Sequence, residues 1–179
     1  DERVSHCAGL PSEDSAAAYA DARFATPDGA PVVLAEYFDN PVWSGEPVLA
    51  RTEAQLQQNW GEGEIAEGVP RTGFSVRWTG TIRPEKSGTH VFYQWFTGPF
   101  RIRVGDDVLF DLLEGSGFRS PRAALNLEAG RDYPVEILYK GVGQRHGVSF
   151  GWQCREDDSE REAACRLAAL VARRGPLAE

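Results

Sequence analysis

The sequence has no methionine, only two lysines and three cysteines among its 179 residues. Acidic residues outnumber basic residues by 27 to 19, which gives a formal net charge of −8. Nucleic acids and anionic membrane surfaces both require a basic face, so neither is expected as a partner. No apolar run approaches the roughly 20 residues of a membrane span. No signal peptide precedes Asp1, and we expect a mature secreted form or an excised domain.

The patterns of common catalytic and metal sites are also missing. The cysteines fit neither a zinc ribbon nor a Cys-x-x-Cys redox motif, and no two histidines have metal-binding spacing. The chain contains no Gly-x-Ser-x-Gly elbow and no phosphate-binding loop. None of the acidic residues lies in a recognisable glycosidase motif. The sequence therefore predicts a protein that is not an enzyme and has no cofactor.

Short apolar runs separated by turn residues dominate what is present. The chain has 19 glycines, 11 prolines and 11% aromatic residues, a profile typical of an all-β domain. In residues 100–104, for example, Ile102 and Val104 are expected to point inward, and Gly105-Asp106-Asp107 predicts a hairpin turn. Strands are predicted at 32–38, 47–50, 74–80, 89–96, 100–104, 108–110, 133–139 and 148–152.

The two ends of the chain differ from this pattern. Residues 1–33 show little periodicity and are interpreted as an N-terminal extension. Ser159 and Glu162 have the spacing of a capping box, and apolar residues with helical spacing follow until Gly175. Residues 154–179 therefore predict a C-terminal extension that contains one amphipathic helix.

Several segments, taken in order, resemble one known family. They are Leu34-Ala35-Glu36-Tyr37-Phe38-Asp39-Asn40, Ser44-Gly45-Glu46-Pro47-Val48, Asn59-Trp60-Gly61, Phe74-Ser75-Val76-Arg77-Trp78-Thr79-Gly80, Ser87-Gly88-Thr89, Arg101-Ile102 with Val104, and Phe150-Gly151-Trp152. Together they resemble the PA-fourteen (PA14) domain, named for the N-terminal fragment of anthrax protective antigen, over residues 34–153. The resemblance implies an antiparallel β-sandwich or barrel-like fold with Trp60, Trp78 and Trp152 in its core. Family members occur in secreted glycosidases, adhesins and toxins, and several bind carbohydrate.

One departure from the family pattern affects the expected site. Sugar-binding members carry an Asp-Asp pair before the Arg-Ile strand, and this pair chelates a calcium ion that holds two sugar hydroxyls. The corresponding residues here are Thr97 and Gly98, so the resemblance implies that this calcium site is absent. Asp106 and Asp107 form a nearby acidic pair, which we interpret as solvated carboxylates of a turn. No metal ligand is therefore predicted.

Aromatic residues surround the altered loop. Trp95, Phe96 and Phe100 flank it, and Trp43 stands where family members carry smaller or more polar residues. The rings could form a platform for a sugar ring or a partner protein, or they could plug the end of the fold. The last hairpin loop borders the same rim in the family, and it contributes the remaining candidate ligand-binding residues, Gln144, Arg145 and His146.

The resemblance to this family also bears on whether the cysteines form a disulfide and on the cellular location. A disulfide between Cys7 and Cys154 or between Cys7 and Cys165 is expected, with three reduced thiols as the alternative. The mostly extracellular family implies a secreted, periplasmic or cell-surface location.

Three functions remain open. The leading one is a non-catalytic module that binds a glycan or a cell-surface protein without calcium, as in adhesion. The second is an accessory domain of a larger secreted glycoside hydrolase of the family-three type. The third is a protein-interaction domain of a secretion or adhesion assembly.

Overall fold

The structure is a computed structural model that describes residues 4–6, 24–25, 29–114 and 122–155. Within these residues the chain forms antiparallel β-strands and no helix, which confirms the predicted all-β class. The strands are β1 (Val4–His6), β2 (Val33–Phe38), β3 (Leu49–Glu53), β4 (Gln57–Gly61), β5 (Phe74–Ile82), β6 (Gly88–Phe96), β7 (Phe100–Val104), β8 (Asp107–Asp111), β9 (Arg122–Leu127), β10 (Tyr133–Gly141) and β11 (His146–Arg155).

The strands form two sheets that enclose one core. The first sheet has the order β1-β9-β6-β11-β4, and the second has the order β3-β2-β5-β10-β7-β8. Aromatic side chains join the two layers: the Phe96 ring of β6 stacks on the Phe100 ring of β7, and Phe74 of β5 meets His146 of β11 edge-on. The contacts between these rings make the fold a sandwich.

Alternation of side chains explains why these segments are strands. In β10, Val135, Ile137 and Tyr139 are buried, whereas Glu136 and Leu138 between them are only partly covered. Ile102 and Val104 of β7 are buried as predicted. The predicted hairpin turn is confirmed at Gly105-Asp106, between β7 and β8. Trp78 and Trp152 lie in the core, and Trp60 is half-buried and packs against its edge.

The N-terminal residues contribute more to the fold than the sequence predicted. β1 pairs with β9, and Ala25 forms an isolated bridge with Thr81 of β5. The Phe24 side chain is 2% exposed and lies in the core, where it contacts Trp152 edge-on. The boundary predicted at residue 34 therefore leaves out described residues that belong to the sandwich.

Two predictions concern residues near the ends of the chain. The amphipathic helix predicted after Ser159 lies outside the described residues. Cys154 of β11 is a half-buried free thiol, and β6 and β9 separate β11 from β1. The expected Cys7–Cys154 disulfide is therefore not supported, whereas Cys7 and Cys165 themselves lie outside the described residues. In the part of the chain that the structure describes, no helix is long and apolar enough to cross a membrane.

Candidate functional site

An open cleft lies at one end of the first sheet, where β6 ends and β11 begins. Its volume is about 490 Å³. The end of β4, the end of β6 and the loop between β10 and β11 form its walls. The lining residues are Asn59, Gly61, Glu62, Trp95, Thr97, Arg145 and His146. We call this feature the Trp95 cleft.

The position of Trp95 follows from strand alternation and from one glycine. Trp95 is half-buried, whereas its neighbour Phe96 is fully buried and points into the core. A Cβ atom on Gly147 of the adjacent strand β11 would collide with the six-membered ring of the indole. The indole therefore lies across β11 at Gly147, and a side chain at that position would displace it.

Two of the predicted site residues belong to the core instead. Phe96 is 0% exposed and Phe100 is 2% exposed, and their rings stack with centroids 4.4 Å apart. Phe96 lies 6.0 Å from the Tyr139 ring, centroid to centroid. The expectation that both rings belong to an accessible platform is therefore wrong, because each strand turns its ring between the sheets. For this pair the alternative interpretation, a hydrophobic plug, describes the packing.

Residues 97 and 98, which the resemblance matches to the acidic pair of sugar-binding family members, are packed against β10 and β11. The Thr97 hydroxyl lies 3.1 Å from the Tyr139 hydroxyl and accepts a hydrogen bond of 3.0 Å from the Gly147 N–H. A Cβ atom on Gly98 would collide with the Lys140 carbonyl oxygen, so this backbone has no room for a carboxylate side chain there. Among the described residues, no three His, Cys, Asp or Glu side chains form a group that could hold a metal ion.

His146 continues this hydrogen-bonded network beneath the cleft. Its Nε2 lies 2.8 Å from the Arg71 carbonyl oxygen, which can only accept, so Nε2 carries the proton. In the neutral ring Nδ1 is then an acceptor for the Tyr139 hydroxyl, 3.1 Å away. Burial lowers the pKa of His146 and raises the pKa of Tyr139 to about 12. Both groups are therefore uncharged at neutral pH and fix the start of β11.

The rim of the cleft carries one ion pair. Arg145 Nε donates a hydrogen bond of 2.9 Å to Glu62 Oε1, and the two side chains are 78% and 63% exposed. The pair joins the β10–β11 loop to the residue that follows β4. Gln144 is exposed in the same loop, although it is not among the residues that line the cleft.

Trp43 lies elsewhere, against the second sheet. Its Nε1 donates a hydrogen bond of 3.0 Å to the Val76 carbonyl oxygen of β5, and Lys140 Nζ lies 5.8 Å from its ring centroid. Trp43 does not line the Trp95 cleft. Of the predicted site residues, the structure therefore brings together Trp95, Arg145 and His146.

Sequence reasoning missed two polar residues of the cleft, Asn59 and Glu62. Both belong to the segment around β4, which the sequence presented as a polar stretch and a loop. Asn59 pairs with Gly147 across the β4–β11 ladder, and Glu62 follows β4 directly. The segment Asn59-Trp60-Gly61 resembles the family motif and could have drawn attention to Asn59. The motif does not indicate which strand pairs with this segment, so the cleft could not be predicted from it.

Residues 29–164 match the PA14 domain. Because this match spans most of the chain, the chain belongs to the PA14 domain family, as its sequence segments indicated. A curated relative, the anti-sigma-I factor RsgI3 of Acetivibrio thermocellus, is 26% identical over 125 residues. The alignment covers 70% of this chain and 19% of that protein, so the chain spans about a fifth of the length of this relative.

Solved structures with the same fold come from proteins of several kinds. An anti-sigma factor domain-containing protein has a TM-score of 0.65 and 25% identity, over 69% of this chain and 43% of its own. A beta-glucosidase from Kluyveromyces marxianus, in complex with glucose, has a TM-score of 0.60 and 23% identity, over 81% of this chain and 19% of its own. The epithelial adhesin 9 A domain from Candida glabrata, in complex with Galβ1-4GlcNAc, has a TM-score of 0.53 and 9% identity, over 86% of this chain and 89% of its own.

These comparisons correct the expected location. A secreted, periplasmic or cell-surface location was expected from the family's adhesins, toxins and glycosidases. A curated relative is instead an anti-sigma factor, and a similar solved structure is an anti-sigma factor domain-containing protein, a class that this expectation did not consider. Membership of the family therefore assigns no compartment to this chain.

Proposed function

We propose that this domain is a non-catalytic recognition module that binds a glycan in the Trp95 cleft without calcium. The observation that carries the proposal is the half-buried Trp95 indole, which lies across Gly147 in a cleft of about 490 Å³. That volume is within the range of about 300 to 1,000 Å³ typical of small-molecule sites. A ring exposed in such a cleft can stack on the apolar face of a pyranose.

The surroundings of Trp95 favour binding over simple surface packing. Gly147 and the strand pairing of β6 hold the indole in one place, so a ligand would cause little loss of side-chain entropy on binding. Asn59, Glu62 and Arg145 place hydrogen-bonding groups beside the ring. An aromatic face with a few polar groups is the usual composition of a site for a small, polar ligand.

The same residues argue against glycoside hydrolysis in this cleft. Glycosidases use two carboxyl groups about 5–9 Å apart, one of them as the general acid. Among the described residues that line the cleft, Glu62 is the sole carboxylate, and Arg145 pairs with it. The domain would therefore bind a saccharide without cleaving it.

The comparisons support two other roles for a binding module. The likeness to the Kluyveromyces marxianus beta-glucosidase favours an accessory domain of a larger glycoside hydrolase. The likeness to anti-sigma factors favours a domain that recognises a ligand or protein for a larger regulatory protein. Both roles are compatible with ligand binding at Trp95, because each describes the protein in which the module resides.

A panel of immobilised oligosaccharides, probed with and without a calcium chelator, tests the proposal. We expect the wild-type domain to bind at least one saccharide equally well in both conditions, and Trp95→Ala to lose that signal. Trp43→Ala serves as the matched control, since it removes a half-buried tryptophan outside the cleft, and it should retain binding. Binding that requires calcium, or that is lost in Trp43→Ala but not in Trp95→Ala, would contradict the proposal.

A further inference from the structure

We propose that Glu62 and Arg145 act as a charge filter that makes the Trp95 cleft favour uncharged saccharides over anionic ones. Glu62 neutralises Arg145, and its removal would raise the relative affinity of the cleft for anionic sugars. This inference rests on the proposed function, because it names the class of saccharide that the same cleft admits.

The formal charges of the described residues that line the cleft cancel. Among its lining residues, Glu62 and Arg145 carry the formal charges, while Asn59, Thr97 and Trp95 carry none. His146 is buried, and because burial lowers the pKa of its ring it adds no charge at neutral pH. A ligand in the cleft therefore meets one positive and one negative group that are already paired.

The geometry of the pair leaves hydrogen-bonding capacity for hydroxyl groups. The contact joins a single nitrogen of Arg145, Nε, to a single oxygen of Glu62, Oε1. Both side chains are largely exposed, so the terminal guanidinium nitrogens and the second carboxylate oxygen remain accessible to a ligand. A sugar hydroxyl both donates and accepts, and it can therefore bind to Glu62 and Arg145 without separating them.

Glu62 opposes the binding of a ligand that carries a carboxylate or sulfate group. It accepts hydrogen bonds from Arg145 but is repelled by Glu62 beside it, so it must displace Glu62 or tolerate the like charge. The net charge of −8 on the whole chain adds a weaker repulsion at long range. Both effects lower the affinity for acidic sugars relative to neutral sugars of the same shape.

Glu62→Gln tests the filter, with methyl β-glucoside and methyl β-glucuronide as probes that differ only in the C6 carboxylate. Binding is followed by the NMR shift of the Trp95 indole N–H at low ionic strength. We expect the ratio of glucuronide affinity to glucoside affinity to rise about threefold or more in Glu62→Gln, an effect of the size that exposed charge pairs produce. The rise should shrink in 0.5 M salt, because screening acts on exposed charges.

Two further variants separate a local charge effect from other causes. Asp132→Asn makes the same change in net charge at the exposed Arg83–Asp132 pair. This pair lies after the end of β5 and before the start of β10, whereas the cleft lies after the end of β10. Asp132→Asn should therefore leave the affinity ratio unchanged. Arg145→Gln leaves Glu62 alone in the cleft and should lower the ratio. An unchanged ratio in Glu62→Gln, or an equal rise in Asp132→Asn, would overturn the filter.

The proposed function and the filter fail in different ways. If the glucoside shifts the wild-type indole signal and Glu62→Gln shows no change in selectivity, the filter alone is wrong. If neither probe shifts the Trp95 signal in the wild type or in any variant, the filter is overturned, and the account of saccharide binding is overturned with it when the wild type also binds no member of the oligosaccharide panel. All the variants should unfold at nearly the same urea concentration, since exposed ion pairs contribute little to stability.

Discussion

Thr97 and Gly98 are both held by the strands around them. Thr97 is hydrogen-bonded to Tyr139 and Gly147, and Gly98 has no space for a side chain. The absence of two carboxylates at these positions was evident from the sequence, but their packing was not. Such packing depends on strands distant in sequence, so the sequence could not specify it.

Buried histidines make the stability of the domain dependent on pH. Burial lowers the pKa of His146 and of His90, whose Nδ1 contacts the Gly88 carbonyl oxygen. The unfolded chain, with an ordinary histidine pKa of about 6.5, then binds protons that the folded chain does not bind. The contribution of the two histidines to the free energy of unfolding is fully present above about pH 6.5. It is lost as the pH falls towards the lower histidine pKa of the folded state.

We therefore expect the free energy of unfolding to fall between pH 7.5 and pH 5.5. Urea unfolding at the two pH values measures the difference, and His146→Gln should reduce it, whatever the variant does to stability at pH 7.5. His90→Gln should reduce it as well, because that ring is also buried. If the free energy of unfolding depends equally on pH in the wild type and in both variants, these histidines protonate as readily in the folded state as in the unfolded state.

At the scale of elements, the edge strand β3 is held by one buried carboxylate. Glu53 Oε1 accepts hydrogen bonds from the Tyr37 hydroxyl at 2.7 Å and from Arg51 Nε at 2.9 Å. Its Oε2 accepts a bond of 3.0 Å from the Trp78 indole N–H. The carboxylate therefore ties β3 to β2 and β5, and it satisfies donors that would otherwise be buried without a partner.

Glu53→Ala should destabilise the domain by about 3–5 kcal/mol, because it leaves the buried Tyr37 and Trp78 donors without their acceptor. Asp132→Ala is the comparison, since it breaks an exposed carboxylate–arginine pair and should leave the free energy of unfolding nearly unchanged. Denaturant unfolding of the two variants gives both values. A Glu53→Ala variant as stable as Asp132→Ala would show that β3 does not depend on this network.

The strands differ in how far their sequences reveal them. β7 and β10 alternate buried residues with more exposed ones, and β5 carries the buried apolar residues Phe74, Val76 and Trp78 at every second position. Each of these strands was predicted within two residues of its observed ends. β4 is a polar edge strand with the sequence Gln-Gln-Asn-Trp-Gly, so no apolar alternation distinguishes it from a loop. Because β4 was not recognised, its wall of the cleft was missing from the predicted site.

The predicted aromatic platform failed for a related reason. Trp95, Phe96 and Phe100 are close in sequence, which suggested one cluster around the loop. Consecutive residues of a strand point to opposite faces, so Trp95 and Phe96 had to separate. Phe100 returns to the core in the next strand, where it stacks on Phe96. Strand alternation was therefore sufficient to predict from the sequence that Phe96 points away from Trp95. The orientation of Phe100, in contrast, depends on how the two sheets pack against each other.

At the scale of the whole molecule, family and function are determined by different features. Ordered segments spread over the chain were sufficient to predict the PA14 family, and the match over residues 29–164 confirms it. The same fold occurs in an anti-sigma factor, a beta-glucosidase and an adhesin, so it does not define a ligand or a location. The ligand must be argued from the Trp95 cleft of this chain.

Affinity and stability measured together on Trp95→Ala test the central claim most directly, with Trp95→Tyr as the variant that keeps a ring. In chelator, the account predicts that Trp95→Ala loses about 2 kcal/mol or more of binding free energy to a saccharide bound by the wild type, whereas Trp95→Tyr retains most of it. The free energy of unfolding should change by less than about 1 kcal/mol, because the indole lies outside the core. Unchanged affinity together with a loss of 2–3 kcal/mol of stability would show that Trp95 is a packing residue and contradict the account.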